Sequence, residues 1–283
     1  MNIHASDREI PLLREFWEQT FGDGDDFLGP FFQAYPPERY CFVSRAGNGE
    51  PKGFLFLLPA QIFREGAWRE ARYLYGVCTL PQYRRQGVFR QLFAAAAEEA
   101  RHDGAEAIFS LPSDERSRAA HRSLGFVSVY AQREIVLDRA RLERLRRLRM
   151  APMPLAPLSA AEFFSRRNAR PAELLTRLTG DYPAADFLAF GGLYLGGSQG
   201  FAAVKQMGKR LVVKETDLDP SELAFALAHR FDPEEITLCL PPDVAFDAFD
   251  WADSRTVDTA VLYPLAFAIE GSPRAFTSGL LED

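Results

Sequence analysis

The spacing of apolar positions changes period along the chain, and each change marks a new element. After a short strand at Asn2–Ala5, apolar residues recur at helical spacing. This predicts a helix from an N-cap at Asp7 through Phe21, then a second to about Tyr35, with the turn-forming run Gly22 to Asp26 between them. Pro36 and Pro37 stop the second helix. Residues 40–45, 53–63 and 69–80 then read as strands rich in β-branched and aromatic side chains. The short turns between them (46–52 and 64–66) predict an antiparallel meander.

At Pro81 the mode switches. Residues 81–87 form a polar loop, and 88–101 a helix whose Val88, Leu92, Phe93, Ala96 and Ala100 share one face. Residues 107–111 are a short apolar strand. Strand, loop, helix and strand in that order make a parallel β-α-β crossover. A further helix over 114–124 ends at Gly125, placed as a helix C′ glycine, and strands are expected at 126–130 and 133–137.

The run from Arg139 to Arg149 has leucines at spacings of three, which predicts an amphipathic linker helix with a basic face. Three prolines in Pro152 to Pro157 extend the connection. The expected division is therefore a first domain over 1–138, a linker over 139–157 and a second domain over 158–283. The second carries helix signals at 160–179, strands at 192–195, 201–206 and 211–215, a helix at 221–230, and strands at 235–240 and 259–264. Residues 72–114 and 210–243 share one order of elements and end in Leu-Pro-Ser-Asp and Leu-Pro-Pro-Asp, which suggests a duplication.

Composition narrows the chemistry. The 283 residues are 47% hydrophobic and 25% charged, an ordinary balance for a chain that buries a core. A net charge of −6 disfavours a nucleic-acid partner. No apolar run approaches the ~20 residues of a membrane helix, and the N-terminus lacks a signal peptide's apolar stretch, so the expectation is a cytoplasmic protein. Cys41, Cys78 and Cys239 are scattered, as are the four histidines, so neither a disulfide framework nor a metal site is expected. The sequence leaves the oligomeric state open.

The segment from Val77 to Arg90 carries the candidate chemistry. A strand ends, and a loop with one glycine leads directly into a helix N-terminus, where N–H groups have no intrahelical partner and the helix dipole is positive. Such a turn is a pyrophosphate cradle: Gly87 permits close backbone approach, and Arg84, Arg85 and Arg90 add charge.

This segment resembles the acetyl-CoA motif of the GNAT acyltransferase superfamily, Arg/Gln-x-x-Gly-x-Gly/Ala. Arg84 stands at the first position, Gly87 at the central glycine, and Phe89 where a small residue is usual. Ser117 to Phe126 is similar to the second family signature, Ala-x-x-Phe-Tyr-x-x-x-Gly-Phe, with His121 in the place of the tyrosine. The resemblance covers about the first 140 residues. It implies an α/β (α+β) fold with a mixed central sheet flanked by helices, followed by a second, degenerate GNAT-like domain. It implies acetyl-CoA as acyl donor and a small-molecule or protein amine as acceptor, with no metal. Backbone groups of Val77, Cys78 and Thr79 would meet pantetheine and the thioester oxygen. Arg84, Arg85, Gln86, Gly87, Val88, Phe89 and Arg90 would form the cradle. Gly76 would mark a bulge that splays this strand from the one near 108–111.

His121 is the candidate general acid. Asp114 is a candidate coenzyme A contact or an N-cap, and Cys78 reads as a small buried strand residue in preference to a nucleophile. Tyr73, Tyr75 and Tyr83 are candidates for the acceptor side, and no residue is singled out as general base. The tandem arrangement looks like the Eis-like subgroup without its C-terminal sterol-carrier-like domain. In that subgroup the terminal carboxylate takes part in catalysis, which draws attention to Asp283.

Overall fold

In the computed structural model of the chain, residues 3–148, 151–169, 175–198, 200–241, 244 and 253–266 are described. Asp283, Asp243 and Arg149 lie outside the described residues. The helices and strands follow in the order α1 (Ile10–Phe21), α2 (Asp25–Ala34), α3 (Pro37–Tyr40), β1 (Cys41–Arg45), β2 (Pro51–Arg64), β3 (Ala67–Thr79), α4 (Val88–His102), β4 (Ala107–Ser110), α5 (Glu115–Arg122), β5 (Val127–Leu137) and α6 (Arg139–Arg146). Then come β6 (Ala156–Pro157), α7 (Ala160–Ala169), β7 (Leu175–Leu178), α8 (Tyr182–Ala189), β8 (Gly192–Gly196), β9 (Phe201–Met207), β10 (Arg210–Thr216), α9 (Pro220–Phe231), β11 (Glu235–Leu240) and β12 (Asp253–Pro264). The chain forms two compact units; the first runs to Val127 and includes Thr176–Tyr182 and the segment from Val261.

In the first unit, β1, β2 and β3 form the expected antiparallel meander, and β3 pairs parallel to β4 across the α4 crossover. Residues 261–264 of β12 complete the sheet by pairing antiparallel to β4, and β7 pairs with β2. α4 buries Val88, Leu92, Phe93, Ala96, Ala97 and Ala100 against Leu55, Leu57 and Leu74, so its apolar stripe covers one sheet face. Trp17 and Phe31 from α1 and α2 meet Phe54, Phe56 and Tyr75 in an aromatic cluster. Odd-numbered Leu55 and Leu57 and even-numbered Phe54 and Phe56 thus serve two different clusters, as strand periodicity requires.

Strand pairing within the second unit is also mixed. β10 lies parallel to β11 and antiparallel to β9; β9 pairs with β8, and β8 with β6. β11 pairs antiparallel to β5. β10, α9 and β11 therefore repeat the crossover of β3, α4 and β4, in keeping with the expected second, GNAT-like half.

Several boundaries differ from the sequence reading. Residues 127–137 make one strand instead of two, because Ala131-Gln132 carries no glycine or proline to turn the chain. That strand, read from the sequence as part of the first domain, pairs with β11 of the second unit. The helical signal over 160–179 resolves into α7 and the strand β7, with residues 170–174 outside the described set, and α8 adds a helix that the sequence reading did not predict. At the N-terminus, His4 bridges to Phe42, and a short 3-10 turn at Asp7–Glu9 precedes α1, with the Glu9 carboxylate accepting from the Ser6 N–H at 2.8 Å.

Candidate active site

The candidate site lies where β3, still paired with β2, leaves β4 and α4 begins. Register places Phe54 opposite Cys78 but Phe56 opposite Tyr75, so β3 carries one extra residue in the Gly76–Val77 stretch. This is a β-bulge, and Gly76 sits in it with φ +56. The Trp17 ring lies directly on Gly76, leaving no room for a Cβ. Its Nε1–H donates to Asp23 Oδ2 at 2.9 Å, which fixes the ring.

On its other edge β3 pairs with β4 only from Ala71 to Tyr73. The Ser110 hydroxyl then donates to the Leu74 carbonyl at 3.0 Å, and no strand pairing to β4 follows. Backbone groups beyond the bulge, at Val77, Cys78 and Thr79, are thereby released from the parallel ladder. The expected parting of the two strands is present, and a bulge accompanies it.

Beyond Thr79 the chain turns through a 3-10 segment at Pro81–Tyr83 and reaches α4 through two left-handed residues, Arg85 at φ +63 and Gly87 at φ +75. Arg84 Nε donates to the Thr79 carbonyl at 3.1 Å and Gln86 Nε2 to the Gln82 carbonyl at 2.8 Å, so both side chains brace the loop. Gly87 is the N-cap of α4 and provides no side-chain acceptor for the first-turn N–H groups. Among the described residues, no atom outside Gly87 and its two chain neighbours lies within 4 Å of where its Cβ would stand, and Arg84, Arg85, Gln86 and Arg90 are exposed beside it. An uncapped 15-residue helix start with open space before it and arginines around it fits an anionic phosphate group. Val88 turns into the core, leaving its backbone as its contribution.

The contrast with the second unit is instructive. There α9 is capped by Asp219, whose carboxylate accepts from the N–H groups of Ser221 and Glu222, and Pro220 removes a donor. That helix start is satisfied and carries a negative charge at the position of Gly87. β10 keeps a bulge between Val213 and Glu215, but the buried Glu215 there accepts from Arg167 Nε of α7 at 2.9 Å. A buried ion pair thus stands where the first unit keeps Trp17 over Gly76.

α5 brings up the second signature. Asp114 Oδ1 accepts from the Ser117 N–H at 2.6 Å, so its carboxylate is engaged as the N-cap. His121 is buried, at 3% exposure, with its ring edge-on to Phe89 at 5.4 Å and to Phe126 at 5.0 Å. The two departures from the family pattern, Phe89 and His121, therefore touch each other. His121 Nδ1 lies 2.8 Å from the Ser117 carbonyl, which can only accept, so Nδ1 carries the hydrogen and Nε2 the lone pair.

Burial lowers the His121 pKa; the Ser117 hydrogen bond opposes this and the Arg118 charge adds to it. As placed, the ring is a neutral proton acceptor, and a general-acid role requires it first to gain a proton at Nε2. Cys78 is also buried, 3.2 Å from Thr20 Oγ1, and burial raises its thiol pKa, which keeps it protonated.

Sequence reasoning missed two residues here. Trp17 reads as an ordinary apolar helix position, and only the bulge gives it a task. Arg118 lies three residues before His121 and is 7% exposed, on the same buried face of α5. Helical spacing within the second signature was the signal that could have found it. Among the described residues no His, Cys, Asp and Glu group could hold a metal ion, and no helix is long and apolar enough to cross a membrane.

Residues 9–126 match the Acetyltransferase (GNAT) family. A search of curated protein sequences finds no match. Solved structures with a similar fold include a GCN5-related N-acetyltransferase from Kribbella flavida (16% identity, TM-score 0.69, covering 93% of this chain and 71% of that one). A conserved protein of unknown function, a probable N-acyltransferase, from Enterococcus faecalis V583 is similar at 10% identity and TM-score 0.73, with the same coverages, 93% and 71%. Eis1 from Mycobacterium abscessus is similar at 11% identity and TM-score 0.68, covering 93% of this chain and 73% of that one. Residues 9–126, less than half of the chain, thus match the acetyltransferase (GNAT) family, and the chain is similar in fold to Eis1.

Proposed function

We propose that the chain is a cytoplasmic, acetyl-CoA-dependent N-acetyltransferase that moves the acetyl group to a primary amine of a small molecule or protein by direct attack on the thioester. The observation that carries this reading is the uncapped start of α4 at Gly87, with open space in front of it, beside a strand released from its parallel partner. First-turn N–H groups of α4, with Arg84, Arg85 and Arg90 nearby, would hold the pyrophosphate. Backbone of Val77–Thr79 would run along pantetheine, and an N–H there would receive the charge that develops on the thioester oxygen as the neutral amine attacks. The amine proton must leave before or during attack, and the departing thiolate, with a pKa of about 8.5, tolerates weak acid assistance. That tolerance matters because His121 is neutral where the family pattern has a tyrosine.

A second reading, a regulatory protein that binds acyl-CoA without turning it over, is favoured by one observation. The His121 ring is buried against Phe89 and carries no acidic proton at Nε2. Calorimetric titration with acetyl-CoA, beside a Gly87→Glu variant that places a carboxylate in the cradle, tests the shared premise. Micromolar binding lost in the variant supports it, and absence of binding by the folded wild type overturns it. Coenzyme A release with a panel of amines then separates enzyme from regulator.

A further inference from the structure

The face of the first sheet opposite α4 is aromatic, and its rings run out to solvent. Leu74 of β3 packs with α4, whereas the next residue, Tyr75, faces α1 and α2, its ring 5.6 Å from Trp17 and 5.6 Å from Phe31. Tyr75 directly precedes the Gly76 bulge and is half-buried. Outward from there, Phe21 at the end of α1 stands 4.9 Å from Trp17 and is 43% exposed. Phe27, half-buried in the first turn of α2, lies 6.1 Å from Trp17 and stacks with Phe31 at 5.4 Å.

The segment that carries these two phenylalanines is acidic. Residues 14–27 hold Glu15, Glu18, Asp23, Asp25 and Asp26 against a single cation, Arg14. That arginine is engaged, donating to Asp25 Oδ1 at 2.8 Å with its guanidinium over the Phe32 ring. Asp23 accepts from Trp17 and so lies against the aromatic surface, while Glu18 and Asp26 are exposed. Ring faces rimmed by carboxylates complement a cation that carries an apolar body. The rings take up the body and attract the charge, and the carboxylates raise the local concentration of cations. A polyhydroxylated amine has the charge, but against these rings it would give up hydrogen bonds to water without replacement.

An acyl donor anchored at the start of α4 enters the opening between β3 and β4 from the α4 face. The nucleophile then reaches the thioester from the other face, the one that Tyr75 occupies. We infer that the acceptor is an apolar primary amine of the aralkylamine class, its ring held on Phe21 and Phe27 and its amino group delivered past Tyr75 to the bulge; this rests on the acyl-CoA reading of the β3–α4 loop. In the transfer the amine nitrogen bonds the acetyl carbon and the carbon–sulfur bond breaks. Its electron pair leaves on the sulfur as the thiolate of coenzyme A, and the surplus amine proton is released to solvent. Phe21 is then a specificity-determining residue, remote from the reacting atoms.

The test measures coenzyme A release with 2-phenylethylamine, ethylamine, spermidine and glucosamine, on the wild type, Phe21→Ser and Phe21→Tyr. The expected order puts 2-phenylethylamine first in kcat/KM. Phe21→Ser should lower the ratio of kcat/KM for 2-phenylethylamine over ethylamine by about 5–30-fold, mainly through KM, and Phe21→Tyr, which keeps the ring, should retain it. A preference for spermidine or glucosamine overturns the inference. So does an equal loss for both monoamines in Phe21→Ser, which would mean a structural role. NMR titration of 2-phenylethylamine into the protein without donor reads the surface separately. Binding that Phe21→Ser weakens supports the inference even in a protein that releases no coenzyme A, and absence of binding overturns it. A folded wild type that binds the amine but no acetyl-CoA overturns the donor reading alone.

Discussion

Trp17 lies against Gly76, with its six-membered ring where a Cβ would have to stand, while its Nε1–H is tied to Asp23 at 2.9 Å. The bulge in β3 and the packing of α1 are thus one feature: the strand can bulge toward the helix because it has no side chain there, and the ring fills the space. Gly76→Ala is expected to cost about 1–3 kcal/mol for the collision and about 1–2 more for a non-glycine residue at positive φ. Urea unfolding checks this, and an unchanged midpoint would show that Trp17 moves aside freely.

Gly87 has the opposite character. Its φ of +75 is unfavourable for a side chain, but the space around it is empty. Gly87→Ala should therefore cost only about 1 kcal/mol of stability, with acetyl-CoA binding weakened less than tenfold, whereas Gly87→Glu should lose binding with a similar stability change. Denaturation and calorimetry on the same two samples separate these effects. Equal binding loss in both would mean that backbone conformation, and not charge, governs the site.

Burial of neutral His121 makes stability pH-dependent. Its folded pKa is lowered from 6.5, so the unfolded chain binds the proton more readily. Stability is unaffected well above pH 6.5 and falls as the pH drops below it. His121→Phe should flatten this part of the curve. Urea midpoints at pH 7.5 and 5.5 test it, and equal slopes for both proteins would refute it.

Glu9 and Arg45 give a dependence at lower pH. The Arg45 hydrogen bond is the main cause that holds Glu9 at about 2, against 4.5 ordinarily, outweighing the opposing effect of burial. This carboxylate's contribution is complete above pH 4.5 and is lost as the pH falls toward and through 2. The pair is not fully enclosed, so solvent screening limits it to about 1–2 kcal/mol. Glu9→Gln should show that loss at pH 7 and a shallower acid limb in thermal melts.

In the second unit, Arg167 and Glu215 are 1% and 0% exposed at 2.9 Å. Glu215→Ala removes the carboxylate opposite the buried Arg167 guanidinium and should destabilise by about 3–5 kcal/mol, while replacing both residues by apolar ones of similar volume should cost much less. Chemical denaturation of the single and double variants checks the difference.

Much of the first unit was legible because local pattern and tertiary role coincide. The apolar stripe of α4 is the face that it buries, and Gly87 followed by Val88 marks a helix start whichever neighbours it meets. Gly76 was legible as a bulge because no other residue adopts that backbone so cheaply. Asp114 was an ambiguous signal, a cap or a coenzyme A contact, and its carboxylate accepts from the Ser117 N–H as a cap does.

The sequence by itself determined the order of elements through the crossover and the placement of a helix start without a side-chain cap between β3 and α4, since helix periodicity, glycine backbone freedom and orphan N–H groups are local properties. Only the tertiary structure decided that Phe89 and His121 touch, that the His121 ring is a neutral acceptor, that Arg118 shares its buried face, and that residues 133–137 pair with β11. Those outcomes depend on which side chains meet across elements distant in sequence, and on the desolvation that follows. Neither spacing nor composition encodes that.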